Sequence, residues 1–201
     1  MVASASTSFL ASDPIGLWKK AEALNIPLPA GTYRYEIEVA DFANVDLASL
    51  VFRPAMTLIK TSIAFSDPRN GTTNPKLIPG GVVEYTITGT TPASYTVTSN
   101  SILVSDTTPA NADFVVTNIG GAGSGPAGFV PGASGLTYTF TSLASTTDDI
   151  EFSSDGGTTW VYTPTANANG VDPLVTTVRI RPQGAMAASS NFAIRLRYRI
   201  R

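Results

Sequence analysis

Any chemistry in this chain has to be done without histidine or cysteine, because its 201 residues contain neither. That excludes Ser-His-Asp and Cys-His nucleophilic systems, Cys/His zinc sites, haem ligation through either residue, and disulfides. Carboxylates, hydroxyls, lysines and arginines remain. The densest acidic stretch is Asp148, Asp149, Glu151 and Asp155, and oxygen ligands in that number are a candidate Ca²⁺ site. Neighbours on a strand point to opposite faces, however, so Asp148 and Asp149 converge only if they lie in a loop. The same geometry argues against a retaining-glycosidase carboxylate pair. Trp18 and Trp160 could each stack on a sugar ring, or simply pack against their own segments.

Residues 153–160 read SSDGGTTW. The pattern S-x-D-x-G-x-T-W resembles the Asp-box of sialidases and other sugar-active β-proteins. That resemblance implies a turn, since in those families the box lies away from the catalytic centre, and a sialidase propeller repeats it several times. This chain has one copy. The turn chemistry is plain: the Asp155 carboxylate accepts backbone N–H groups, Gly156 and Gly157 take positive φ, and Trp160 packs the returning strand of a hairpin. We therefore expect no catalytic residues, no cofactor and no enzymatic activity.

Charge is unevenly placed. The formal net charge is −2, yet residues 174–201 carry six arginines and no acid. In residues 192–201, FAIRLRYRIR, the apolar Phe192, Ile194, Leu196, Tyr198 and Ile200 alternate with Ala193, Arg195, Arg197, Arg199 and Arg201. Such alternation needs a core on one side. Like charges two residues apart repel unless acids or a polyanion lie opposite. Glu36 and Glu38, on the other strongly alternating segment (residues 33–39), are the expected partners in a cross-strand ion ladder. The aromatic interleaving and clustered lysines of nucleic-acid binders are absent, which argues against a nucleic-acid partner.

The elements that must position these residues are mostly strands. One short helix is expected from Asp13 as cap and Pro14 at the first position, with Ile15, Trp18, Ala21 and Leu24 on one face. Beyond Pro29 the apolar period is two. Strands are expected at residues 33–39, 58–65, 82–88, 94–98, 101–104, 114–118, 136–141, 149–153, 159–163, 176–181 and 191–200, separated by Gly- and Pro-rich turns. Residues 120–128, GGAGSGPAG, read as a surface loop. Many short strands at even spacing predict an all-β protein, an immunoglobulin-like or jelly-roll β-sandwich with one short N-terminal helix. We divide it into an N-terminal extension, residues 1–55, holding a candidate exchanged strand, the helix and one strand, and a sandwich, residues 56–201.

Residues 74–88, NPKLIPGGVVEYTIT, with Val83, Tyr85 and Ile87 at alternate positions, resemble the opening of DUF11-type conserved repeats of bacterial surface and secreted proteins. Residues 104–111, VSDTTPAN, are similar to that family's TD-x-x-P stretch; Ile59-Lys60-Thr61-Ser62 and the closing arginine-rich strand also fit. Gly89-Thr90-Thr91-Pro92 departs from the family's Asn-x-Gly turn. The resemblance covers residues 56–201 and implies an immunoglobulin-like sandwich, an extracellular or envelope location, and no catalysis.

No window approaches 18 apolar residues, so no membrane-spanning helix is expected. The start, MVASASTSFLASDP, lacks a basic region and a long apolar core and does not read as an intact signal peptide. Together these features predict a secreted, cell-surface structural subunit whose partner is itself: a homopolymer built by strand-mediated contacts. Ser8, Phe9 and Leu10 are expected at the assembly interface, with the apolar face of the C-terminal strand from Phe192 to Ile200. The alternatives are a carbohydrate-binding adhesive module recognising surface glycans through Trp160, and a phage or capsid surface protein.

Overall fold

The structure, a computed structural model, describes residues 56–93 and 95–201. The expected helix, the 33–39 strand, Trp18, Glu36, Glu38 and the segment Ser8, Phe9 and Leu10 lie outside the described residues. Nine strands are described: β1 (Thr57–Ser66), β2 (Val82–Thr90), β3 (Val104–Thr107), β4 (Ala112–Val115), β5 (Ala127–Val130), β6 (Ile150–Ser153), β7 (Val171–Asp172), β8 (Thr177–Ile180) and β9 (Asn191–Ile200). They form two antiparallel sheets. The larger runs β1-β2-β9-β4-β7, with β5 also paired to β9, and the smaller runs β3-β8-β6. This is the all-β sandwich expected from the strand spacing.

The alternation in residues 191–200 becomes β9, the spine of the larger sheet. Its Phe192, Ile194, Leu196 and Tyr198 are fully buried, while Arg195 stays exposed. The smaller sheet supplies the other half of the core through Ile150, Phe152, Val178 and Ile180. Aromatic rings line the core: within the larger sheet Phe114 of β4 lies 5.4 Å from Tyr198 and Tyr85 meets Tyr198 edge-on at 5.5 Å, and Phe114 bridges to Phe152 of β6 in the smaller sheet at 6.1 Å. Each such pair adds about 0.5–1.5 kcal/mol beyond its buried area.

Several expected strands end elsewhere. Residues 136–141 make one bridge, Thr137 to Gln183, and no ladder. Their main chain is engaged by carboxylates instead: Thr139 N–H donates to Asp149 Oδ2 at 2.7 Å and Thr141 N–H to Asp148 Oδ2 at 2.7 Å. Residues 159–163 also pair with no strand; Thr159 N–H donates to Asp155, and the Tyr162 side chain is held by its hydroxyl donating to Asp172. Among the described residues of 94–98, only Val97 bridges, to Met186. The strand expected at 101–104 lies later, at Val104–Thr107, and that at 114–118 earlier, at Ala112–Val115. The glycine-rich loop closes sooner than expected, because Ala127 already begins β5 against β9.

Candidate functional site

The SSDGGTTW segment is a turn held by its own side chains. Ser153 Oγ donates to Asp155 Oδ1 at 2.6 Å and accepts the N–H of Gly157 at 2.8 Å. Asp155 Oδ1 and Oδ2 accept Thr159 N–H at 2.9 and 3.1 Å, and Thr159 Oγ1 donates to Oδ2 at 2.7 Å. Gly156 and Gly157 take φ of 74° and 89°, as that path requires. It is not a hairpin, however: β6 pairs with β8 across the sheet, and the chain after Thr159 runs unpaired. The hydroxyl of Ser153 leads in holding the Asp155 carboxyl down to about 2, ahead of the Thr159 N–H and hydroxyl. A depressed carboxyl contributes stability above its unfolded value near 3.8, and that stability is lost as pH falls towards 2. Asp155→Ala should therefore lower the urea midpoint at pH 7, and the gap to the parent should narrow steadily below pH 4.

The four acids of the candidate Ca²⁺ site each hold separate partners. Asp148 accepts N–H groups from Thr141 and Ser142 and the Ser145 hydroxyl. Asp149 accepts Thr139 N–H and Gln183 Nε2. Glu151 is taken by two arginines, with Arg179 Nε at 2.5 Å and Arg181 Nη2 at 2.7 Å. Asp155 holds its turn. Among the described residues no three such groups come together as a metal site. The Trp160 ring carries the Arg179 guanidinium 4.2 Å from its centroid, and Glu151 fixes that guanidinium bidentately. One face of the tryptophan is thereby covered.

The arginine strand finds its acids within the larger sheet. Arg197 opposes Glu84 in the β2–β9 register and meets its Oε2 at 2.8 Å, while its guanidinium also lies over the Phe65 ring at 3.5 Å. Arg201 meets Asp113 Oδ1 of β4 at 2.8 Å. Arg195 lies along Gly128 and Arg199 across Gly80, and among the described residues neither pairs with an acid. Both edges of β9 are taken, by β2 on one side and by β4 and β5 on the other. The interface expected on the apolar face needs correction. Phe192, Ile194, Leu196 and Tyr198 have no exposed surface, so they build the chain's own core, with Ile200 half-buried at its margin.

Among the described residues, β1 is the long strand left open. Its ten residues, TLIKTSIAFS, pair among the described residues with β2 on one side only. Leu58, Ile59 and Ile63 are 51%, 61% and 61% exposed. The register sets Leu58, Lys60, Ser62 and Ala64 opposite the inward row of β2, and Ile59, Thr61 and Ile63 opposite its outward row. Lys60, the one charge on the strand, reaches across to ion-pair with Asp106 of β3. Soluble proteins blunt long edges with charge, proline or bulges, because unpaired N–H and C=O groups template another strand. Here the bulge comes only at the far end, between Ala64 and Ser66. The signal was present in the sequence: Leu58-Ile59 and Ile63-Ala64-Phe65 place apolar residues on both faces, unlike the clean alternation of β9.

No family model, curated protein or solved structure matches the chain.

Proposed function

We propose that this protein is a non-enzymatic structural subunit, of immunoglobulin-like or jelly-roll type, that self-assembles on the cell surface or outside the cell through strand-mediated contacts. The observation that carries the reading is the β1 edge: ten residues long, uncharged but for an ion-paired lysine, with three large apolar side chains exposed. The resemblance of residues 56–201 to DUF11-type surface repeats supports the same location. The non-enzymatic part of the reading is supported by the lack of histidine and cysteine, which removes the commonest nucleophilic chemistries. No helix among the described residues is long and apolar enough to cross a membrane.

Residues 3–10, ASASTSFL, supply a second contact in this reading. They are small, uncharged and free of proline and glycine. Too little apolar surface lies in them to order themselves against water, whereas a neighbour's sheet would satisfy their backbone and receive Phe9 or Leu10. The full chain should form polymers visible by negative-stain electron microscopy. Deletion of residues 2–11 should leave a folded, β-rich protein that no longer polymerises. A full chain that stays monomeric by light scattering at every concentration would refute assembly. A truncated chain that polymerises as the parent does would refute the N-terminal contact.

A further inference from the structure

We propose that the free edge of β1 is closed by β1 of a second copy, in a single self-complementary antiparallel register, giving a two-fold dimer whose larger sheets merge. The proposal rests on the assembly reading above and names the partner of its main edge.

An edge of this kind calls for another strand rather than a small ligand, because what it presents is a row of main-chain donors and acceptors. The partner must be long. Among the described residues the other free edges belong to β3, β5 and β6, of four residues each, and β7, of two. Any of them would leave most of a ten-residue edge unpaired. Among the described strands with a free edge, only β1 itself has the matching length.

Symmetry then restricts the register. A two-fold axis normal to the sheet keeps the inner faces of both copies on one side, so opposed residues must belong to the same face. The register centred on Thr61 opposes Ile59 with Ile63 twice on the outer face. On the inner face it opposes Leu58 with Ala64 and Lys60 with Ser62. The two isoleucines that are 61% exposed in the single chain thus become each other's neighbours. Opposed apolar pairs of this kind stabilise antiparallel sheets. Sliding to a register centred on Lys60 sets two ammonium groups face to face, which is unfavourable. Sliding to one centred on Ser62 separates the isoleucine pairs. Lys60 is already ion-paired to Asp106 of its own chain, so its charge does not oppose the approach.

The full chain has no cysteine, so an introduced thiol reports without background. In the Thr61-centred register, Thr61 faces its own copy with Cα atoms about 4.5–5.5 Å apart, inside the disulfide range of about 4.4–6.8 Å. Thr61→Cys should cross-link to a dimer on a non-reducing gel under mild oxidation. Thr57→Cys is the control: it opposes Phe65, and its own copy lies about 26 Å further along the partner strand. It should remain monomeric on the same gel. In sedimentation, Ile59→Lys combined with Ile63→Lys should weaken the dimer at least tenfold with the circular dichroism spectrum and melting temperature unchanged. Absence of the Thr61→Cys cross-link, or equal cross-linking of both cysteine variants, overturns the proposal. Filaments seen without that cross-link overturn the β1 pairing and leave the assembly reading standing. Cross-linked Thr61→Cys dimers that never extend into filaments support the pairing and count against the polymer.

Discussion

Gly89→Ala should cost about 3 kcal/mol of unfolding free energy, although alanine ordinarily stabilises a strand relative to glycine by about 0.5–1 kcal/mol. Gly89 lies in β2 directly opposite Phe192 of β9. A Cβ built there would come 2.4 Å from Phe192 Cε1 and 2.6 Å from Cζ. The phenylalanine has no room to retreat: it is wholly buried and held by Phe129, whose ring centroid is 6.0 Å away. Overpacking a close-packed interior forces off-rotamer side chains or backbone shifts, and here that term exceeds the gain in chain entropy. Urea denaturation of the single variants and of Gly89→Ala with Phe192→Leu decides the matter. In the smaller-leucine background the glycine substitution should lose at least about 1 kcal/mol of its effect, a coupling large enough to measure. A Gly89→Ala protein as stable as the parent would show that the ring moves freely, and the account would fail.

Asp106→Ala should destabilise by about 2–4 kcal/mol. Asp106 is 8% exposed and joins the two sheets, accepting the Tyr198 hydroxyl at 2.8 Å and ion-pairing with Lys60 of β1. Burial, with the Asp106 charge beside it, pushes the Tyr198 phenol far above its ordinary range, so it remains a neutral donor at any working pH. Removing the carboxylate strands that hydroxyl in the core, which costs about 1–3 kcal/mol, and leaves a small void. Lys60 is 36% exposed and regains water, so the loss falls below that of a fully buried pair. Adding Tyr198→Phe removes the orphaned hydroxyl, and the double variant should be more stable than Asp106→Ala alone. Equal stability of the two would locate the cost elsewhere than in this hydrogen bond. Because Lys60 sits on the free edge, Asp106→Ala should also release a charge along β1.

The sequence by itself determined the fold class and the central strand. Strict alternation from residue 191 to 200 can be satisfied only by a half-buried strand, and β9 has those bounds. β1, β2, β6 and β8 followed from β-branched runs between turn residues, and the chemistry of SSDGGTTW from the hydrogen-bonding reach of serine and aspartate. What only the tertiary structure decided were the pairings across the chain. Glu84 lies against Arg197, because a register linking residues 113 positions apart is set by the packing of two sheets and by no local pattern. Asp148, Asp149 and Asp155 capture backbone N–H groups of stretches that read as strands. A β-prone stretch does not reveal whether its main chain will meet a strand or a carboxylate. The exposure of β1 belongs to the same class. Its apolar residues on both faces are legible in TLIKTSIAFS, but a strand covered on both sides reads the same way. Its place at the end of the larger sheet, among the described residues, is what leaves Leu58, Ile59 and Ile63 exposed.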